Sequence, residues 1–246
     1  MIVAVLALSL LIGVALGLLG GGGSILTLPI LTYVAGVETK AAIASSLFVV
    51  AVTSATGVVA HARAGRVRWR TGLIFGAAGM VGAFGGGQVA AYIPGQILMI
   101  AFAMMMVATA IAMLRGRRET EAGAVGELPI AKVLLEGVVV GVVTGIVGAG
   151  GGFLVVPALA LLGGLRMEQA VGTSLLVISM KSFAGFAGHM GHVEIDWPIT
   201  LAVTAAAVAG SFAGGALAGR VPPATLRKGF GVFVLVMAAV VLFQEL

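Results

Sequence analysis

The chain has 246 residues, of which 60% are hydrophobic and only 9% charged, with a mean hydropathy of +1.19. A water-soluble fold of this length has too little interior to hide so much apolar surface, so a soluble domain is excluded. The net charge of +5 does not point to nucleic acid, and the absence of cysteine excludes a disulfide scaffold and thiolate chemistry.

Charges leave long gaps: none occurs before Glu38, from Ala41 to Ala62, from Thr71 to Leu114, or from Trp197 to Gly219. A helix of about 20 apolar residues crosses the hydrocarbon core, so these gaps predict membrane spans, singly or in pairs. Met1 to Leu19, with no basic residue ahead of it, reads as a retained helix rather than a cleaved signal. It runs into the tract Gly20 to Gly23 and restarts as an apolar piece, Ser24 to Val37. Three longer spans follow, about Ala41 to Ala62, Thr71 to Tyr92 and Gly95 to Leu114. After a polar stretch the pattern repeats: a helix, the tract Gly148 to Gly152, a piece Phe153 to Leu165, then spans Gln169 to Gly188, Trp197 to Gly219 and Ala224 to Phe243.

The repetition is literal. Residue i matches residue i+128 without a gap from Gly13/Gly141 to Phe102/Phe230, with 29 identities in 90 pairs. Rare residues carry the match: Trp69 pairs with Trp197, His61 with His189, Pro29 with Pro157 and Pro94 with Pro222. The expected organisation is a first transmembrane repeat over 1–114, a polar linker over 115–128 and a second repeat over 129–246. Duplicated halves are a common build of secondary transporters.

Loop charge predicts the orientation. Arginines cluster in Arg63, Arg66, Arg68, Arg70 and in Arg115, Arg117, Arg118, as in cytoplasmic loops. The counterpart of the first cluster, Gly191 to Pro198, carries Glu194 and Asp196 and no Lys or Arg. The expected fold is therefore an all-α polytopic membrane protein whose two homologous halves are inverted repeats. Each half holds a glycine-tipped broken helix or hairpin plus three full spans, and both termini lie outside.

Glycine disfavours helix by about 1 kcal/mol relative to alanine, so the two tracts predict breaks where protein or a cavity shields bare backbone. The restarted pieces then carry free amides and the positive end of a helix dipole, an arrangement suited to an anion. This makes Gly21, Gly22, Gly23, Ser24 and Gly150, Gly151, Gly152 substrate-binding candidates. For Gly13, Gly17, Gly141 and Gly145 close helix packing is the expected role. Counted at 3.6 residues per turn, Ser174, Lys181, Gly185 and His189 share one face of their span, as do Ser46, Thr53, Gly57 and His61 of its partner. A polar stripe turns away from lipid, which adds Ser46, Ser174 and Lys181 to the candidates. Ser54 and Ser182, off that stripe, are expected to bond back to the preceding turn. His61, His189 and Glu136 are candidates for proton coupling, with span-end and interfacial roles as the alternatives. Trp69 and Trp197 fit an interfacial aromatic belt. His189 and His192 lack a carboxylate to complete a metal site, so no metal and no other cofactor is expected. Neither a P-loop nor a nucleophile elbow appears, which argues against ATP-driven transport and against a serine hydrolase, and with no paired acid and base to place on neighbouring faces no enzyme is expected.

The two glycine tracts, each followed by an apolar turn and a proline, together with Ala170-Val171-Gly172-Thr173-Ser174-Leu175, Gly188-His189 and Asp196-Trp197, resemble the sulfite exporter TauE/SafE family of membrane permeases. Thr173, within the longest of these motifs, joins the substrate-binding candidates. The resemblance covers essentially the whole chain. It implies transport of a small sulfur-containing anion, such as sulfite, a sulfonate or thiosulfate, usually outward across a bacterial inner membrane. Apart from the resemblance, a secondary transporter is expected to have a coupling proton or sodium ion as a partner, with the lipid bilayer as surroundings. Family members often hold a polar uncharged residue at the position of Lys181, so the resemblance assigns that lysine no role. The rival readings are an anion channel and a non-transport assembly or scaffold protein of the membrane.

Overall fold

The structure, a computed structural model, describes residues 2–19, 21–115, 130–148, 155, 159, 165, 167–217 and 223–245. Among the described residues there are eight long helices and no strand: α1 (Ile2–Leu19), α2 (Thr39–Arg63), α3 (Trp69–Ala90), α4 (Gly95–Leu114), α5 (Ile130–Val147), α6 (Met167–His189), α7 (Trp197–Leu217) and α8 (Pro223–Glu245). Of these, α2, α3, α6 and α7 are long and apolar enough to cross a membrane, and shorter apolar helices accompany them. The six longer spans expected from the sequence are all helices, with ends displaced by at most two residues. Local chemistry sets those ends. The Glu38 carboxylate accepts from Ala41 N at 3.2 Å and caps α2, and Gly65, at φ +67°, turns the chain beyond its last residues. The linker beyond Arg115 lies outside the described residues.

The first glycine tract breaks the chain as expected, but helical structure restarts at Gly21 rather than Ser24. A 3-10 turn over Gly21–Leu26 passes into Thr27–Pro29 and then a π turn over Ile30–Val34. Pro29 lacks an N–H to continue a regular ladder, and the register widens beyond it, where Ala35 N reaches Ile30 O at 2.9 Å. In the second half Gly148, at φ +75°, ends α5 at the first residue of its tract. That conformation suits glycine, and an added Cβ would also lie 2.5 Å from Ile43 Cγ2. The rest of this tract, and most of the piece that follows it, lies outside the described residues.

Packing between helices repeats at the same offset as the sequence. A side chain at Gly13 would run into the Ala207 carbonyl, and one at Gly17 into that of Ser211, so α1 lies parallel to α7 with backbones in contact. Their counterparts, Gly141 and Gly145, meet the carbonyls of Gly79 and Ala83, placing α5 parallel to α3 in the same way. The reverse contacts match too: Gly210 and Gly214 against Leu10 and Val14, Gly82 and Gly86 against Val138 and Val142. Small residues let backbones approach where apolar burial gives no net drive between helices, and this is the packing role expected of the four early glycines. The first helix of each half thus packs on a helix of the other half.

Between these two pairs, α2 and α6 cross at the centre. A Cβ at Gly57 would lie 3.2 Å from Leu175 Cδ1, one at Gly185 would lie 3.3 Å from Leu47 Cδ1, and Ser179 Oγ donates to Ala51 O at 3.1 Å. Rising numbers on α2 meet falling numbers on α6, so the two equivalent helices run antiparallel. The 3-10 turn Gly21–Leu26 touches both of them.

Candidate functional site

Lys181 lies in the middle of α6 and is fully buried. Its stem runs along α3, where a Cβ on Gly79 would meet Lys181 Cβ at 3.6 Å, and Nζ donates to Thr144 Oγ1 on α5 at 3.0 Å. Thr144 stands in the last turn of α5, two turns beyond Glu136. An ammonium is favoured at that end of a helix, where the dipole is negative, which offsets part of the cost of burying it. The same turn leads to the glycine tract: Gly148 N donates to Thr144 O at 2.8 Å. Ser46 Oγ on α2 approaches Gly148 O at 2.6 Å and Ile43 O at 2.9 Å. Ser46, Thr144, Gly148 and Lys181 therefore form one polar cluster where α2, α5 and α6 meet. Ser46 has one proton and two carbonyls to receive it, so its remaining capacity is as an acceptor.

The other candidates stand apart from this cluster. Thr173 Oγ1 accepts from Arg68 N at 3.0 Å and so holds the arginine loop to the start of α6. Ser174 Oγ donates to Val171 O at 2.8 Å, and Thr53 Oγ1 to Val49 O at 2.6 Å, both local bonds. Glu136 is half-buried on α5. His61 and His189 end α2 and α6, each with one buried ring nitrogen, Nδ1 and Nε2 respectively, that has no hydrogen-bond partner. His189 Nδ1 lies 2.9 Å from Gly185 O. Gly21, Gly22 and Gly23 lie in the 3-10 turn with Ser24, which is buried. Gly150, Gly151 and Gly152 lie outside the described residues. Trp69 and Trp197 are both exposed, and Trp197 packs edge-on against Phe48 and Phe186 with ring centroids 5.5 and 6.1 Å away.

Two serines depart from expectation. Ser54 and Ser182 were expected to bond back to the preceding turn, yet both are fully buried and neither hydroxyl has a partner. They sit on the faces along which α2 and α6 press together. Thr144 was not among the sequence candidates. One hydroxyl in an apolar helix carries little signal, and its counterpart in the first half is Leu16. Among the described residues no group of His, Asp or Glu is placed to hold a metal ion.

Comparison with known proteins agrees with this architecture. The family model described as Sulfite exporter TauE/SafE matches residues 5–241. The chain is 34% identical over 242 residues to a "Probable membrane transporter protein" of Xylella fastidiosa (strain Temecula1), covering 96% of this chain and 92% of the relative. It is 26% identical over 239 residues to the "Probable membrane transporter protein YdhB" of Bacillus subtilis, covering 95% and 97%. A similarly named protein of Methanocaldococcus jannaschii is 30% identical over 195 residues, covering 75% and 72%. No solved structure matches the chain. With the spans, the duplicated helices and the match along nearly its full length, the chain is a multi-pass membrane protein that belongs to the sulfite exporter TauE/SafE family of membrane transporters.

Proposed function

We propose that the protein is a secondary transporter that exports small sulfur-containing anions, such as sulfite, organosulfonates or thiosulfate, across a bacterial inner membrane. It works by alternating access of two inverted repeats around an anion site near the midplane. The observation that carries this reading is Lys181: a fully buried cation in the middle of a span, bonded to Thr144, whose carbonyl accepts from the first glycine of the second tract. A membrane scaffold has no use for so costly a charge, whereas an anion site needs one. In this reading Lys181 and the amides of the glycine tracts supply the positive potential that a bound oxyanion neutralises.

Inversion is supported by the antiparallel crossing of α2 and α6. If two repeat-equivalent spans run in opposite directions through the bilayer, their halves have opposite orientation. The arginine loop and the arginines of the linker then face the cytoplasm and both termini face outside. His61, His189 and Glu136 are the residues proposed to carry a coupling proton, with sodium as the other coupling ion. The test is counterflow in proteoliposomes loaded with sulfite, sulfonate or thiosulfate. Trans substrate is expected to accelerate uptake of labelled anion. Flux through the protein indifferent to trans substrate would identify a pore, and no binding of any of the three anions would remove the transporter reading.

A further inference from the structure

Ser54 and Ser182 occupy equivalent positions of the two repeats, since 182 is 54 + 128. Each is flanked, three residues before and three after, by contacts between the central helices. Ala51 O and Gly57 flank Ser54; Ser179 Oγ and Gly185 flank Ser182. Both hydroxyls therefore lie within the seam of α2 and α6, on either side of its crossing point. Buried polar atoms without partners are rare in native proteins, and a repeat-related pair of them at one helix crossing calls for a ligand. Seven residues further along each helix, on the same face, stand His61 and His189, each with its own unpartnered buried nitrogen. Four of the six such atoms among the described residues thus fall on two matching faces.

The seam also differs from the glycine contacts of α1/α7 and α3/α5. Along α1/α7 and α3/α5 the glycines meet backbone carbonyls, which cannot move aside. Gly57 and Gly185, lying between serine and histidine on each face, meet the side chains of Leu175 and Leu47, which can swing. These two leucines are themselves a repeat pair, 47 + 128 = 175. We infer that the α2/α6 seam is the path of the anion: Ser54 and Ser182 donate to its oxygens at the crossing, and Leu175 and Leu47 close the two exits, which end at His61 and His189. This inference rests on the proposed function and extends its site from Lys181 to the next residue of α6, Ser182, and to the repeat partner of that serine, Ser54. An oxyanion with two or more acceptor oxygens fits two hydroxyl donors that face one crossing from opposite sides.

The test begins by titrating the purified parent with sulfite, isethionate and thiosulfate. Ser54→Ala and Ser182→Ala each remove a buried hydroxyl that has no partner, so they are expected to fold at least as well as the parent. Each should bind the anion about tenfold more weakly, and Ser9→Ala, whose hydroxyl bonds to Val5 O, should bind as the parent does. In parallel, Ser54→Cys and Ser182→Cys in this cysteine-free chain should react during turnover with a methanethiosulfonate reagent bearing a sulfonate, and bound isethionate, which does not react with the reagent, should protect both. Parent affinity in both alanine variants, or no labelling of either cysteine, overturns the inference and leaves the proposed function standing. A parent that binds none of the three anions removes both.

Discussion

Ser46 and Gly148 lie 102 positions apart, yet the serine hydroxyl approaches the glycine carbonyl at 2.6 Å, joining α2 of the first half to the point where α5 of the second half breaks. Without that hydroxyl, Gly148 O loses a donor inside the bundle. Ser46→Ala is therefore expected to destabilise the protein by about 1 kcal/mol, read as a lower thermal midpoint in detergent. An unchanged midpoint would mean that the Ile43 carbonyl, not Gly148, receives the proton.

Backbone contact between α3 and α5 gives a sharper test. Gly82→Val drives a branched side chain into the Val138 carbonyl and the Val142 amide region, at an expected cost of about 1–3 kcal/mol or more. Gly85, on the same helix with nothing within 4 Å of an added Cβ, serves as the control. Gly85→Val should keep the parent's thermal midpoint, and equal midpoints for the two variants would contradict the packing described.

Orientation can be read directly. Ala64 and Val193 lie in loops at opposite ends of the antiparallel central helices. In intact cells, Val193→Cys is expected to react with an impermeant thiol reagent, and Ala64→Cys only after the membrane is permeabilised. Equal labelling of the two would rule out inverted halves.

Lys181 separates a binding role from a structural one. A lysine in mid-span costs about 2.5–3.5 kcal/mol on insertion scales, so Lys181→Met, which keeps the length and removes the charge, should fold well. It should also lose anion binding. If the ammonium instead serves to balance Glu136, Lys181→Met should destabilise the protein and Lys181→Met with Glu136→Gln should restore it. Parent affinity in purified Lys181→Met would exclude the lysine from the site.

The spans were legible because hydrocarbon thickness leaves so plain a mark on charge spacing, and because Glu38, Gly65 and Pro94 are ordinary end signals. The offset of 128 also foretold which contacts would come in pairs. It did not tell which helices would touch. Lys181 could be placed on a face, but its partner Thr144 became visible only once α5 was known to lie beside α6. Ser54 and Ser182 were misjudged for the same reason. A wheel drawn for one helix shows which residues share a side, not what presses against that side, and back-bonding is the usual fate of a serine with free space above its own helix.

The swapped partnership of the outer helices bears on biogenesis. α1 leaves the ribosome first, yet Gly13 and Gly17 find their complementary surface only at Ala207 and Ser211, nearly 200 residues later. α3 waits far less, since α5 follows it after one further helix and the linker. The contacts of α1 with α7 therefore form late, and a chain stalled before α7 holds a membrane helix whose glycine face is still open. Separating the gene at the linker would leave α1 and α3 in one fragment and their partners, α7 and α5, in the other. Neither fragment can complete its own helix pairs, so the two must meet in the bilayer before either reaches its native packing.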